Sequence, residues 1–552
     1  MPGMTPPPSA TPSPQSRFNR ESGVPESRPP FESLLPVVIL TIAFTVRLIP
    51  AIRFFLNPDE ALHNLLASQS SFSGAWAAAL TNAHPPLLIL LLYYWRMLGE
   101  AEWWLRMPSV LAGTAACWFF FRWLKLVSDR STAFLGLLLA SFAPSLILLS
   151  AEIRQYALLL FFMTACLFFS ERAFQTNSQL QLLLFSLSLY GALLTHYSAL
   201  IFAFVIGIYW LVRFYPYRNR LRFFLAWGAG QVIGVAIATY FLLTHIPTLR
   251  ATGMVRADLE SYLWKSTFRA GERNPMEFVA SQTLRVFTYI FSHGLIGTLA
   301  LFAFVGGLVW LRTSGEVVEA KPSPRILAFL IALPFLVSWA VALTGLYPLG
   351  ATRHDVFLAP FVLAGASIGI VGWIPTQNLI RAFAVLICLG VCNLFPAPPP
   401  PIRARDQAKP QMREAVSYLR TSAAPGAVLL TDYESGLLLG YYLCGHGVVQ
   451  VFPPAQPFAR ADCGPYRVLS TSFHEWKFVA DTLPAELAQA DQFERSNEML
   501  TPNPETWIFY AGWINDSAPS MKKELARDGC GNPRNFGENI LVCRLNLEPA
   551  IR

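Results

Sequence analysis

Residues 132–172 read TAFLGLLLASFAPSLILLSAEIRQYALLLFFMTACLFFSER, two long apolar runs joined by one polar turn at Glu152 to Gln155. A helix that spans a bilayer needs about 20 mainly apolar residues. The stretch therefore reads as two membrane spans and their connection. The same pattern continues in both directions and predicts about eleven spans, at 34–55, 106–123, 132–150, 155–172, 180–195, 197–213, 222–244, 287–311, 326–346, 355–373 and 379–396. Composition agrees: 54% of the 552 residues are hydrophobic and 14% charged, more apolar side chain than a soluble domain can bury behind a polar surface. The net charge of +8 is dispersed between apolar runs with no dense basic stripe, so no nucleic-acid partner is expected.

Segment 84–98 is apolar but short for a span. Its Tyr93, Tyr94 and Trp95 suit an interfacial helix on the outer surface. With the N-terminus inside and this segment not crossing, the cytoplasmic connections collect Arg122, Lys125, Arg130, Arg172, Arg213, Arg218, Arg220, Arg222, Arg312, Lys321, Arg325 and Arg381, as short cytoplasmic loops should. Were 84–98 to cross, the whole set would move outside.

The expected organisation is a Pro- and Ser-rich tail over 1–33, disordered and cytoplasmic rather than a signal peptide, then a multispanning domain over 34–396 with an outer loop at 56–105. A Pro-rich hinge at Pro396 to Pro401 leads into a small soluble α/β domain over 397–552 on the outer face. An amphipathic helix is expected near Met412 to Leu419, a strand at Ala427 to Leu430 and a turn at Asp432 to Gly436. Cys117, Cys166, Cys388 and Cys392 lie in apolar runs. Cys444, Cys463, Cys530 and Cys543 lie in the soluble part and fit disulfides of an oxidising compartment, with their pairing open. The address implied is a cell (inner) membrane, multi-pass, with membrane lipids as surroundings.

Chemistry concentrates on one face. The first outer loop opens Asn57-Pro58-Asp59-Glu60. Adjacent carboxylates at a helix start serve as caps and helix-dipole partners, while ionisable groups at membrane edges also mark sites. His84-Pro85-Pro86 ends the segment, with two prolines that stop the following helix from extending backwards. Arg106, Arg154 and Arg353 sit at span ends on the side where arginine is otherwise scarce, beside Ser109, Glu152, Tyr156, His354 and Asp355; His196-Tyr197 falls at an outer turn. Carboxylates and guanidinium groups together suit an acceptor that must lose a proton and a phosphate that must leave. Glu60 and His63 could share a helix face as weak metal ligands, fewer than a hard cation uses, so a divalent metal is possible and no other cofactor is implied.

In this ordered set (Asp59-Glu60, His84-Pro85-Pro86-Leu87, Arg106 to Ser109, Ala151 to Tyr156, and Arg353 followed by Pro360) the sequence resembles the GT-C glycosyltransferases, which include protein O-mannosyltransferases and lipid A aminoarabinose transferases. The resemblance covers most of residues 34–373. It implies a GT-C-like fold and a hexosyl- or pentosyltransferase using a polyprenyl-phosphate-sugar donor and an unknown glycan, lipid or protein acceptor. By that resemblance Asp59 would be the general base, and Glu60 would position the acceptor or a metal. Arg106, Arg154 and Arg353 would hold the lipid phosphate, with His84, Tyr156, His196 and His354 as further substrate contacts. Relatives often carry a Lys after the His-Pro-Pro stretch. Here Leu, Leu and Ile follow, and Arg96 is the substitute further along. A transporter or flippase of a lipid-linked saccharide is the alternative, but it would place ionisable residues at mid-membrane on broken helices.

Overall fold

The computed structural model describes residues 30–214, 221–251, 263–314, 321–396, 408–445, 458–471, 505–511, 533–537 and 540–545, with a few isolated positions besides. Residues 1–29 of the expected tail, Arg218, Arg220 and most of the Pro396 to Pro401 hinge lie outside the described residues, and α1 begins within the expected tail, at Pro30.

The chain is mainly helical. It runs through α1 (Pro30–Arg53), α2 (Pro58–Ala67), α3 (Phe72–Ala79), α4 (Leu87–Trp95), α5 (Glu102–Val127), α6 (Arg130–Phe142), α7 (Pro144–Ser150), α8 (Tyr156–Thr176), α9 (Gln179–Leu193), α10 (Ala199–Phe214) and α11 (Leu221–Leu243). The helices Pro275–Phe291, Gly294–Thr313, Pro324–Ala342, Ala359–Trp373 and Asn378–Leu394 follow. Among the described residues seven helices are long and apolar enough to cross a bilayer, or eight if the bent pair α6–α7 is one span. The spans expected at 180–195, 197–213 and 379–396 are present as α9, α10 and Asn378–Leu394, apolar helices of 15, 16 and 17 residues, below that length. Many large apolar side chains point outward, Leu379 at 77% and Leu394 at 74% exposure among them, a surface that water would not tolerate and lipid does.

One span boundary is corrected. The span predicted at 287–311 is divided, because Pro275–Phe291 ends at Ser292 in the left-handed conformation (φ 49°) and the His293 side chain then accepts from Ile296 N–H to start Gly294–Thr313. The stretch 56–105 holds the short helices α2, α3 and α4. The short helix predicted at 84–98 is there as α4 and a following single turn at Arg96–Leu98, burying Leu88, Ile89, Leu92 and Tyr93.

The stretch 132–150 bends by 58° between α6 and α7. Pro144 has no N–H to give Ala140 C=O, so the break leaves carbonyls bare in an apolar interior. Arg47 of α1 fills them. Its guanidinium donates to Ala140 O (3.0 Å) and Ser141 O (2.8 Å), and to Ala43 O (3.1 Å) in its own helix, at 1% exposure. Elsewhere small residues allow close approach: a Cβ at Gly307 or Gly369 would overlap a carbonyl oxygen of the facing helix, Gly365 O or Ala303 O.

Beyond the membrane part the sheet order is β2-β3-β1-β4-β6-β5. The central β1 (Val428–Thr431) is parallel to β3 (Tyr466–Thr471) and β4 (Thr506–Ala511); β2 (Phe458–Cys463), β5 (Arg534–Phe536) and β6 (Ile540–Leu545) complete it antiparallel. The predicted amphipathic helix is Lys409–Ser422 and the predicted strand is β1. The predicted turn at Asp432 to Gly436 is the first turn of a helix, Tyr433–Tyr442, because Asp432 caps it through Ser435 N–H (2.7 Å) and Gly436 packs without clash on Ser470. Cys444 pairs with Cys463 and Cys530 with Cys543. One apolar core, including Leu56, Leu65, Leu88, Ile153, Met412, Leu438 and Phe509, runs through both parts.

Arg47→Met should lower the unfolding free energy by roughly 3 kcal/mol, the scale of buried carbonyls losing a charged donor. The loss should shrink in a Pro144→Ala background, where Ala140 O regains a backbone donor; equal losses in the two backgrounds, by thermal unfolding in detergent, would refute the pairing of Arg47 with the break.

Candidate active site

Local sequence separates the two adjacent carboxylates. Asn57 caps α2: its Oδ1 accepts from Glu60 N–H (2.9 Å) and Glu60 Oε2 accepts from Asn57 N–H (2.9 Å), with Pro58 at the first helical position. This reciprocal cap turns Glu60 inward, and Asp59, about 100° around the helix, faces the other way.

Glu60 is 1% exposed and Arg106 2%. Arg106 Nε and Nη2 donate to the two Glu60 oxygens at 2.7 and 2.6 Å, and its remaining donors reach Ala51 O, Phe54 O and Phe55 O at 2.9, 2.7 and 2.9 Å. Glu60 Oε1 also accepts from Ile153 N–H at 2.8 Å. Every Arg106 donor is thus matched inside the protein, and each Glu60 oxygen accepts two hydrogen bonds, so neither side chain faces the site as Asp59 does. His63 is occupied too, its Nδ1 against Asp59 O and its Nε2 against Asn82 Nδ2 at 3.2 Å. Among the described residues no group of three or more His, Cys, Asp or Glu is arranged to hold a metal ion. Arg96 is likewise committed, to Ala67 O (3.1 Å) and Glu100 (2.9 Å).

Asp59 meets the other two arginines. Its Oδ2 lies 2.7 Å from Arg154 Nη1 and 2.9 Å from Arg353 Nη2, with the Asp59 side chain 30% exposed. Arg154 is placed by the bonds on either side of it: Ile153 N–H to Glu60, and Arg154 O accepting from Ser109 Oγ at 3.3 Å. Arg353 sits on a turn held by Asp355, whose Oδ2 accepts from Gly350 N–H (2.8 Å) and Thr352 Oγ1 (3.2 Å). Burial opposes ionisation of Asp59, but Arg154 and Arg353 outweigh it and hold the carboxyl well below the usual carboxylate range. Half-buried Glu152 goes the other way: burial, then the nearby charge of Glu60, pushes it up to about 7 against the pull of Arg154 and Arg353. The spacing of charges in the sequence does not show this, because Glu152 and Glu60 meet only in the fold.

The remaining expected residues gather beside the clamp. Tyr156 lies under Arg154, with 5.6 Å from the guanidinium carbon to the ring, and His84, His196 and His354 cluster around it. Tyr197 departs from this set and bonds His245.

The soluble domain closes over the site's scaffold, which no motif announced. Tyr442 OH accepts from Leu56 N–H (2.7 Å), one residue before the α2 cap, and donates to Glu102 at the start of α5; Lys409 pairs with the other Glu102 oxygen, and Tyr441 OH donates to Glu100 O (2.7 Å). Glu102, 4% exposed, thus has both oxygens taken by the C-terminal domain. One turn along α5 is Arg106.

Residues 83–243 match the family described as dolichyl-phosphate-mannose-protein mannosyltransferase, a stretch that holds His84, Arg106, Arg154, Tyr156 and His196 and leaves Asp59 and Arg353 outside. No curated protein matches as a sequence relative. Solved structures similar in fold include ArnT from Cupriavidus metallidurans bound to undecaprenyl phosphate (14% identity, 94% of this chain and 99% of that chain, TM-score 0.41) and its apo state (13%, 93% and 98%, 0.38). A third is the oligosaccharyltransferase AglB from Archaeoglobus fulgidus with an inhibitory peptide and a dolichol-phosphate (10%, 87% and 70%, 0.46).

Tyr442→Phe leaves Leu56 N–H and one Glu102 oxygen without partners and should cost about 1–3 kcal/mol of stability. Limited proteolysis should cut between the membrane part and Lys409–Ser422 faster than in wild type; unchanged cleavage and melting would show that this contact does not hold the domain down.

Proposed function

We propose that the chain is an integral membrane glycosyltransferase that moves a sugar from a polyprenyl-phosphate-linked donor to a hydroxyl or phosphate acceptor on the outer face, with the N-terminus cytoplasmic in a cell (inner) membrane. One observation carries the reading: Asp59, at the start of a short helix directly after a membrane span, is held between Arg154 and Arg353 at 2.7 and 2.9 Å. A base and a phosphate-binding pair share one point at the membrane edge. The family match over residues 83–243 supports the donor class.

The acceptor oxygen attacks the anomeric carbon from the side opposite the phosphate, and the carbon–oxygen bond to the phosphate breaks with its electron pair passing to the leaving oxygen. The configuration inverts. Asp59 takes the acceptor proton, and Arg154 and Arg353 hold the charge on the released polyprenyl phosphate. Paired with the two arginines, Asp59 is a weak base. A donor phosphate competes for the same guanidinium groups, and as they turn toward it the carboxylate regains basicity. The donor thereby arms the base for the reaction it is needed in.

Asp59→Asn should lower transfer by about 10²–10⁴, with donor binding retained, read as polyprenyl phosphate released from a panel of lipid-linked sugars and followed by mass spectrometry. Full transfer by the variant would remove Asp59 from the chemistry; no release by folded wild type from any donor would remove the reading itself. Below about pH 7 Glu152 gains a proton and one negative charge beside the arginines is lost. Donor affinity should accordingly rise by roughly 2–5-fold from pH 8 to pH 6, and Glu152→Gln should flatten that slope.

A further inference from the structure

Three imidazoles meet beside the arginine clamp, and phosphate binding does not explain them. The rings of His84 and His196 stack at 4.9 Å between centroids and 27° between planes, with His354 at 5.9 Å from His196 and 6.4 Å from His84. They come from three separate places: the Pro85-Pro86 stop before α4, the turn between α9 and α10, and the Arg353–Leu358 turn. His196 is the floor at 2% exposure, and the other two rings are half-buried. The Nε2 atoms of His196 and His354 are shut away from solvent and have no hydrogen-bond partner among the described residues. Buried polar atoms are nearly always matched, so such atoms call for a ligand that matches them.

The tautomer of His196 says what kind of group would match it. Ser198 N–H donates to His196 Nδ1 at 3.0 Å, so the uncharged ring carries its proton on Nε2 and offers a donor there. Burial and the charges around it, Arg154 for His196 and His196 with Arg154 for His84, keep both rings uncharged, His196 down to about 3. Of the three uncharged rings, His84 and His354 each carry one donor and one acceptor, whereas His196, its Nδ1 taken by Ser198, offers a ligand the Nε2–H donor alone. A phosphate can only accept and has two guanidinium groups beside it that serve it better. A sugar hydroxyl both donates and accepts, and a pyranose face stacks on flat rings.

We infer that His84, His196 and His354 form a recognition box for the donor's sugar, separate from the arginines that take its phosphate, with His196 Nε2–H donating to a ring hydroxyl. This rests on the donor class proposed above and adds a division of labour to it: guanidinium groups read the lipid phosphate and neutral imidazoles read the polyhydroxyl ring.

The test compares two ligands on purified full-length protein in detergent: undecaprenyl phosphate, and undecaprenyl phosphate carrying one of a panel of neutral hexoses. Wild type should bind at least one sugar-bearing lipid more tightly than the bare one. His196→Ala and His354→Ala should weaken the sugar-bearing lipid by about tenfold, the scale of one lost hydrogen bond to a buried group, and leave bare undecaprenyl phosphate unchanged. Arg353→Ala should weaken both. His196→Gln, which keeps a donor, should recover part of the difference and guards against loss of folding, checked by thermal unfolding. Equal weakening of both lipids by the histidine variants would overturn the box while leaving the donor class intact. Folded wild type that binds neither lipid would overturn the donor class, and the box with it.

Discussion

The buried ion pair between Glu60 and Arg106 is the constraint on which the candidate site depends. Two charges removed from solvent are costly unless almost every lone pair and proton finds a partner. Here they do: Arg106 uses all five donors on Glu60 and three carbonyls at the end of α1, and Glu60 accepts in addition from Asn57 and Ile153 N–H. One pair thus ties the end of α1, the start of α2, the body of α5 and the turn that carries Arg154. Loss of either partner would strand a charge in a dry interior, at a cost of about 3–5 kcal/mol, and would release four elements at once.

Asp59 inherits its position from that hub. Its backbone is held in the capped first turn of α2, and its carboxylate faces Arg154, which the hub places through Ile153, and Arg353, which the Asp355 turn places from the far end of the membrane part. Two guanidinium groups on one carboxylate form a stable but exchangeable arrangement, since a dianionic or monoanionic phosphate is an equally good partner. The clamp is therefore suited to being opened by an anionic ligand, whereas the Glu60–Arg106 pair, at 1% and 2% exposure, is sealed from one.

The soluble domain is continuous with this arrangement. Glu102 is gripped by Tyr442 and Lys409 and stands one helical turn from Arg106, and the Leu56 N–H that opens the path to Asn57 is bound by the same Tyr442. A core shared by α2, α4 and the sheet makes relative motion of the two parts expensive. The C-terminal part belongs to the site's support and is more than an appended module.

Much of the architecture was legible in the sequence, for a physical reason: a bilayer forces long apolar runs, and their lengths and the Arg and Lys between them are one-dimensional quantities. The helices at 34–55, 106–123 and 155–172 are where those runs are. The sequence reading took 132–150 as one unbroken span, and neither the bend at Pro144 nor its remedy by Arg47, far away in the chain, was part of it. The residue types of the site could be picked out by their departure from the charge pattern, and Asp59, Arg154, Arg353 and the three histidines do converge. Sequence could not decide which of Asp59 and Glu60 faces the site, or that Arg106 pairs with the sealed Glu60 while Arg154 and Arg353 pair with the partly exposed Asp59. Those assignments depend on which way a helix turns and on which groups distant segments bring to it. Composition and spacing determine that this chain lives in a membrane and gathers charge at its edge; only the tertiary structure decides which charges neutralise one another and which are left to meet a ligand, because burial and pairing are properties of neighbours in space.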